Sequence, residues 1–137
     1  IKFALIIPDF YLPTKEARKV IPETITVKEA VFNISRAALV TAAFLTGKLD
    51  LLRIGVEDRI HQPYRKHLIP HWDIIKGYAE QLGAKGFFLS GAGPTLVAVL
   101  DKDYQDFQCK MQRLMDGFNE KWTVQVADIC KKGVEVF

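Results

Sequence analysis

The stretch "FFLSGAGPTLVAVL", residues 87–100, constrains the fold more than any other. Two apolar, strand-like runs flank a loop that holds Gly91, Gly93 and Pro94. A parallel pair of strands needs a crossover long enough for a helix, and this loop is far too short. The two strands are therefore adjacent and antiparallel, or joined by a tight bend at a sheet edge. The loop is also an odd one. Plain hairpins usually turn on Asn-Gly or Asp-Gly, whereas this chain spends Ser90-Gly91-Ala92-Gly93-Pro94 there.

The rest of the chain is read outward from that hairpin. "KFALIIPD" is apolar and β-branched and reads as a central strand that stops at Pro8-Asp9. "TKEARKVI" reads as a short helix ended by Pro22, with Thr14 placed to cap it and Glu16 in its first turn. "TVKEAVFNISRAALVTAAFLTG" is the clearest helix. Thr26 and Glu29 make a capping box, Val27, Val31, Ile34, Ala38 and Phe44-Leu45 recur at helical spacing, and Gly47 supplies the stop. A helix follows up to about Asp58, then a segment that Pro63 and Pro70 keep from being one clean helix. "HWDIIKGYAEQLG" places Trp72, Ile75, Tyr78-Ala79 and Leu82 on one side. After the hairpin, Tyr104, Phe107, Met111, Leu114-Met115 and Phe118 form one helical stripe. "WTVQVADI" alternates as a sheet strand does, and "KKGVEVF" is expected to add a short terminal strand.

The order is strand, helices, strand, strand, helix, strand. That is a ferredoxin-like β-α-β-β-α-β core, α+β in class, with an expanded helical first crossover. It predicts an antiparallel sheet covered by helices on one face. The 137 residues suit a single domain, and no linker or repeat divides them. The chain opens on "IKFALIIP", a strand already under way, which predicts a fragment of a longer protein.

Composition removes several function classes. No window approaches the roughly 18 apolar residues of a membrane span. A net charge of +3 is too mild for nucleic acid but compatible with a small anion. RNA binding through the sheet would need basic residues beside Phe87 and Phe88, and those runs lack them. Cys109 and Cys130 form neither a disulfide scaffold nor a zinc motif; they read as small buried or half-buried thiols in a reducing, cytoplasmic setting. His61, His67 and His71 have poor spacing for a metal site, and His61 is left to pair with Asp58 or to line a pocket. No Ser-His-Asp order, H-E-x-x-H or carboxylate pair stands out, so no catalytic residue is assigned.

The glycine loop fails both common nucleotide fingerprints. A dinucleotide loop opens a helix, yet Pro94-Thr95 enters a strand; a Walker loop needs a lysine, and none is present. What remains is a hairpin connection needing glycine for its geometry, or a small nest of backbone N–H groups for an anion, with Ser90 and Thr95 as added donors. Arg18 and Arg65 carry planar forks suited to carboxylate or phosphate, unless each is simply a surface arginine. Thr14 could offer an anion its hydroxyl as well as a cap. Asn33 and Arg36 lie one turn apart on an otherwise apolar helix, exposed or paired toward residues 61–65.

"IPDFYLPTKEARKVIP", "AVFNISRAALVTAAFLTG", "EDRIHQPYRKHLIP" and "GAKGFFLSGAGPTLVAV" together resemble the carboxy-terminal half of the homoserine kinase family. That family sits in the small-molecule kinase superfamily with galactokinase, mevalonate kinase and phosphomevalonate kinase. "SGAGPT" alone speaks only for the superfamily; "TKEAR" and "HQPYR" narrow it. The resemblance implies transfer of the γ-phosphoryl group of ATP, with Mg2+, to the hydroxyl of L-homoserine. It implies that ATP and Mg2+ are held mainly by an amino-terminal domain this sequence does not contain, and that homodimers are compatible with the family. By resemblance, Thr14, Arg18 and Arg65 face homoserine, and Ser90, Gly91, Ala92, Gly93 and Thr95 lie beside the phosphates. The competing reading is a non-catalytic, ferredoxin-like module that binds an amino acid for regulation.

Overall fold

The computed structural model describes residues 1–101, 106–130 and 132–134. Its strands are β1 (Lys2–Pro8), β2 (Gly86–Leu89), β3 (Leu96–Leu100) and β4 (Trp122–Asp128). Its helices are α1 (Thr14–Lys19), α2 (Val27–Thr46), α3 (Leu52–Gly55), α4 (Gln62–Arg65), α5 (Trp72–Gln81) and α6 (Phe107–Met115). Short 3-10 turns, Leu49–Leu51 and Lys66–Leu68, precede α3 and follow α4. The expected helix to Asp58 thus ends at Gly55. Tyr104 and much of the expected terminal strand lie outside the described residues.

The sheet order is β2-β3-β1-β4, antiparallel throughout. The central strand is β1, with Phe3 opposite Val99 of β3 on one side and Ala127 of β4 on the other. This is the ferredoxin-like arrangement that the element order predicts. Side chains alternate across a pleated strand. One set, including Ala4, Ile6, Leu96, Ala98, Phe87 and Leu89, forms the main core with Ile75 and Ala79 of α5 and Met111 and Met115 of α6. Phe3, Phe88 and Val99 project to the other face, where they meet Ala43 of α2 and Leu52 of α3. The expanded crossover therefore adds a second, partial layer to the one-sided cover of the basic plan.

Helix α2 starts and stops as its ends dictate. Thr26 and Glu29 complete the capping box, and Gly47 ends the helix in the left-handed region at φ 71°. Its apolar stripe faces outward, however. Val27, Ile34 and Leu45 are 80%, 70% and 82% exposed, and Val31 and Ala38 are exposed with them. The inward side is instead Ala43 and the part-buried Val40. That side packs tightly because Gly55 of α3 has no side chain: a Cβ there would come within 3.0 Å of Val40 Cγ2. The cysteines also differ from expectation. Cys109 and Cys130 are both free and exposed, because α6 turns its Phe107, Met111, Leu114 and Met115 side toward the core and Cys130 follows the end of β4.

Removing buried methylenes leaves a cavity, while trimming an exposed side chain does not. Ile75→Ala should lower unfolding free energy by about 2–5 kcal/mol, and Ile34→Ala by no more than about 0.5 kcal/mol. Urea denaturation of the two variants checks this pair. Equal losses would mean that α2 packs the other way round.

Candidate anion-binding site

Three separate segments meet at one end of the sheet. Helix α1 follows β1 and presents Thr14 and Arg18, which are one turn apart and so share a face. Helix α4 presents His61, at its amino-terminal boundary, and Arg65. The β2–β3 connection adds Gly91 and Ala92. These six residues and Leu89 line one open cleft of about 610 Å³.

Arg65 ties the walls together. It is buried, at 8% exposure, as few arginines are without partners. Its Nε donates to the Ala17 carbonyl of α1 at 2.9 Å, and Nη1 donates to the Gly91 carbonyl at 3.1 Å. Nη1 also lies 3.3 Å from His61 Nδ1. One guanidinium thus bridges α1, α4 and the glycine loop. Since Nε and Nη1 are committed, Arg65 cannot offer its full fork to a ligand; Nη2 is the nitrogen left over. Arg18 is the complement: it is exposed, and its side chain has no hydrogen bond or ion pair among the described residues.

The glycine loop is a hairpin connection and a cleft wall at once. Ser90 N–H donates to the Thr95 carbonyl and Gly93 N–H to the Ser90 carbonyl, each at 2.9 Å. Gly91 and Gly93 take φ of 56° and 87°, where side chains are disfavoured, and the Gly93–Pro94 peptide is cis. Gly93 is tight as well: a Cβ would fall 2.9 Å from Leu89 Cδ1. Gly91 and Ala92 keep backbone N–H groups without a backbone acceptor among the described residues. Ser90, Gly93 and Thr95 shape the turn and do not line the cleft. Thr14 lines it, but as the first residue of α1; Pro13 occupies the cap position that the sequence suggested for Thr14.

Behind the cleft lies a polar scaffold that sequence reasoning only partly anticipated. The Asp58 side chain is 6% exposed. Its carboxylate accepts hydrogen bonds from the Asn33 side chain of α2 and from the backbone N–H groups of Ile60, His61 and Gln62. Asn33 returns an acceptor to Arg59 N–H at 3.0 Å. Burial works against the Asp58 charge, but these donors outweigh it and hold its pKa below the ordinary 3.8. Gln62, not singled out by sequence, accepts from Leu89 N–H at 3.0 Å and donates to the Val56 carbonyl at 3.1 Å, so it pins the end of β2 just before the glycine loop. Arg36 pairs with Glu57 at 3.0 Å. Asn33 and Arg36 thus engage residues 57–59 rather than 61–65.

Known proteins resemble this chain in sequence and fold. Residues 36–116 match the model described as GHMP kinases C terminal, and the chain belongs to that family. The homoserine kinase of Petrotoga mobilis is 42% identical over 136 residues, 99% of this chain and 44% of the relative. That of Caldicellulosiruptor saccharolyticus is 44% identical over 139 residues, covering all of this chain and 45% of the relative. The crystal structure of homoserine kinase from Cytophaga hutchinsonii superposes with a TM-score of 0.85 at 28% identity, covering 93% of this chain and 41% of that one. The chain spans less than half the length of the curated relatives it matches.

Asp58 gives a signed expectation. A carboxylate whose folded pKa is depressed contributes stability above its unfolded value, and that contribution disappears as pH falls through the folded one. Asp58→Asn should therefore cost about 1–3 kcal/mol at pH 7, with the gap to the parent chain closing as pH drops below 3.8. Denaturant titrations across pH measure it; a gap independent of pH would detach the Asp58 charge from stability.

Proposed function

We propose that this chain is the carboxy-terminal domain of a homoserine kinase. The whole enzyme would transfer the γ-phosphoryl group of MgATP to the side-chain hydroxyl of L-homoserine, yielding O-phospho-L-homoserine and ADP. The supporting observation is the convergence of Thr14, Arg18 and Arg65 with Gly91 and Ala92 on one cleft. The names carried by relatives with more than 40% identity along this whole chain point the same way.

Each group then has a role its chemistry suits. Arg18, whose fork is free, pairs with the homoserine carboxylate, and Arg65 adds charge and its remaining Nη2. Thr14 adds a hydroxyl. The free N–H groups of Gly91 and Ala92 face the region where phosphate oxygens approach, and Ser90, Gly93 and Thr95 hold that turn. Phosphoryl transfer depends mostly on positioning and charge neutralisation, which such fixed donors provide. No residue here is assigned as a base. The described residues contain no group of three or more His, Cys, Asp or Glu side chains suited to a metal ion, so no Mg2+ ligand is assigned either. Adenine, the triphosphate and Mg2+ fall mainly to an amino-terminal domain.

Two measurements test the reading. The 137-residue chain supplied with MgATP and L-homoserine should give no ADP above background; turnover would refute the division of labour. In the full-length parent, Arg18→Ala should raise KM for L-homoserine by roughly 30-fold or more, a charge-pair loss of about 2 kcal/mol or more, with KM for ATP nearly unchanged. A parent that phosphorylates another alcohol and ignores homoserine would sink the substrate assignment.

A further inference from the structure

His61 has no role in the reading above, yet it stands between the two charged parts of the site. Arg65 can only donate, so the ring nitrogen facing its Nη1 at 3.3 Å, Nδ1, must be an acceptor. The imidazole is then neutral, with its proton on Nε2. That nitrogen lies 3.7 Å from Asp58 Oδ2, so the carboxylate favours this tautomer over the other. Asp58 is itself fixed by Asn33 and three backbone donors. A continuous polar chain runs from α2 through Asn33, Asp58, His61 and Arg65 to the Gly91 carbonyl.

We infer that His61 is a positioning residue: its neutral Nδ1 holds the Arg65 guanidinium against the Gly91 carbonyl, and protonation of the ring releases Arg65 and loosens the glycine loop. The consequence for substrate rests on the function proposed above; the contact itself does not. A protonated ring would put an N–H donor and a second positive charge against Nη1, turning attraction into repulsion. The charged groups facing the ring are Asp58 from the preceding loop, Arg65 from α4 and Arg18 across the cleft on α1. The Arg36–Glu57 pair lies beyond it, toward α2. Burial lowers the His61 pKa below the ordinary 6.5; Asp58 opposes this and Arg65 reinforces it. The held state is therefore intact at neutral pH and is lost on acidification, below the usual histidine range.

Long-range proton–nitrogen NMR spectra of the 137-residue chain read the tautomer directly. Nδ1 should be unprotonated and Nε2 protonated at neutral pH; the reverse tautomer overturns the inference. Two variants test the mechanical consequence. His61→Ala removes the acceptor, whereas His61→Asn returns a carbonyl oxygen near the Nδ1 position without a titrating ring. Exchange of the Ser90 and Gly93 amides should quicken about tenfold in His61→Ala, as expected for loss of one charge-assisted hydrogen bond, and stay near the parent rate in His61→Asn. Unchanged exchange in His61→Ala, or equal acceleration in both, overturns the proposal. In the full-length parent, His61→Ala should raise KM for L-homoserine with little change in kcat, and His61→Asn should erase the acid limb of the KM profile. A parent without homoserine kinase activity defeats the function reading and leaves the NMR outcomes to decide this one.

Discussion

The buried Arg65 guanidinium is the constraint around which the cleft is built. Burying a charge is costly unless it is well hydrogen-bonded. Here the compensation comes from two backbone carbonyls and an imidazole, contributed by α1, the glycine loop and α4 itself. Satisfying this one side chain therefore sets the distance between three segments far apart in sequence. The sheet supports the arrangement from below. Leu96 of β3 lies opposite Leu89 of β2 and Ile6 of β1, so the glycine loop and the exit of β1 emerge at the same end.

Local chemistry accounts for most of what the sequence made legible. The Thr26–Glu29 box and Gly47 bound α2 because capping is decided by residues a turn apart. The short loop between β2 and β3 forces an antiparallel pair, and the remaining element order leads to the ferredoxin-like sheet. The stripe of α2 shows where this reasoning stops. Periodicity says that Val27, Val31 and Ile34 share a face, but not which neighbour that face meets. Ala43 and Val40 lie on the other side, and the missing side chain of Gly55 lets Val40 approach closely, so that side turned inward.

The site divides the same way. Thr14 and Arg18 at helical spacing already implied a shared face, and a ligand-facing loop was suggested by an unusual turn composition. Gln62 carried no such signal. Glutamine is common on surfaces, and only the fold brings its amide between the Leu89 N–H and the Val56 carbonyl. Asp58 and Asn33 lie 25 residues apart, a pairing that no local pattern encodes. Arg65 was legible as a cation but not as a brace, because its carbonyl partners are main-chain groups that any residue would supply.

That choice of partners has an electrostatic result. Among the described residues no carboxylate lies within 4.0 Å of Arg65, so its charge is held in place without being neutralised. Asp58, the buried acid behind this wall, has its oxygens occupied by Asn33 and backbone donors and is separated from Arg65 by the imidazole. Had an aspartate braced Arg65 directly, the pair would have presented little net charge to the cleft. Carbonyls fix geometry and leave the positive field facing outward, beside the exposed Arg18 and the free N–H groups of the glycine turn. In a cleft with low-dielectric walls such a field acts at longer range and with less screening than in open water. An anion entering there meets charge and donors already in position, which is the physical basis for reading this end of the sheet as its binding site.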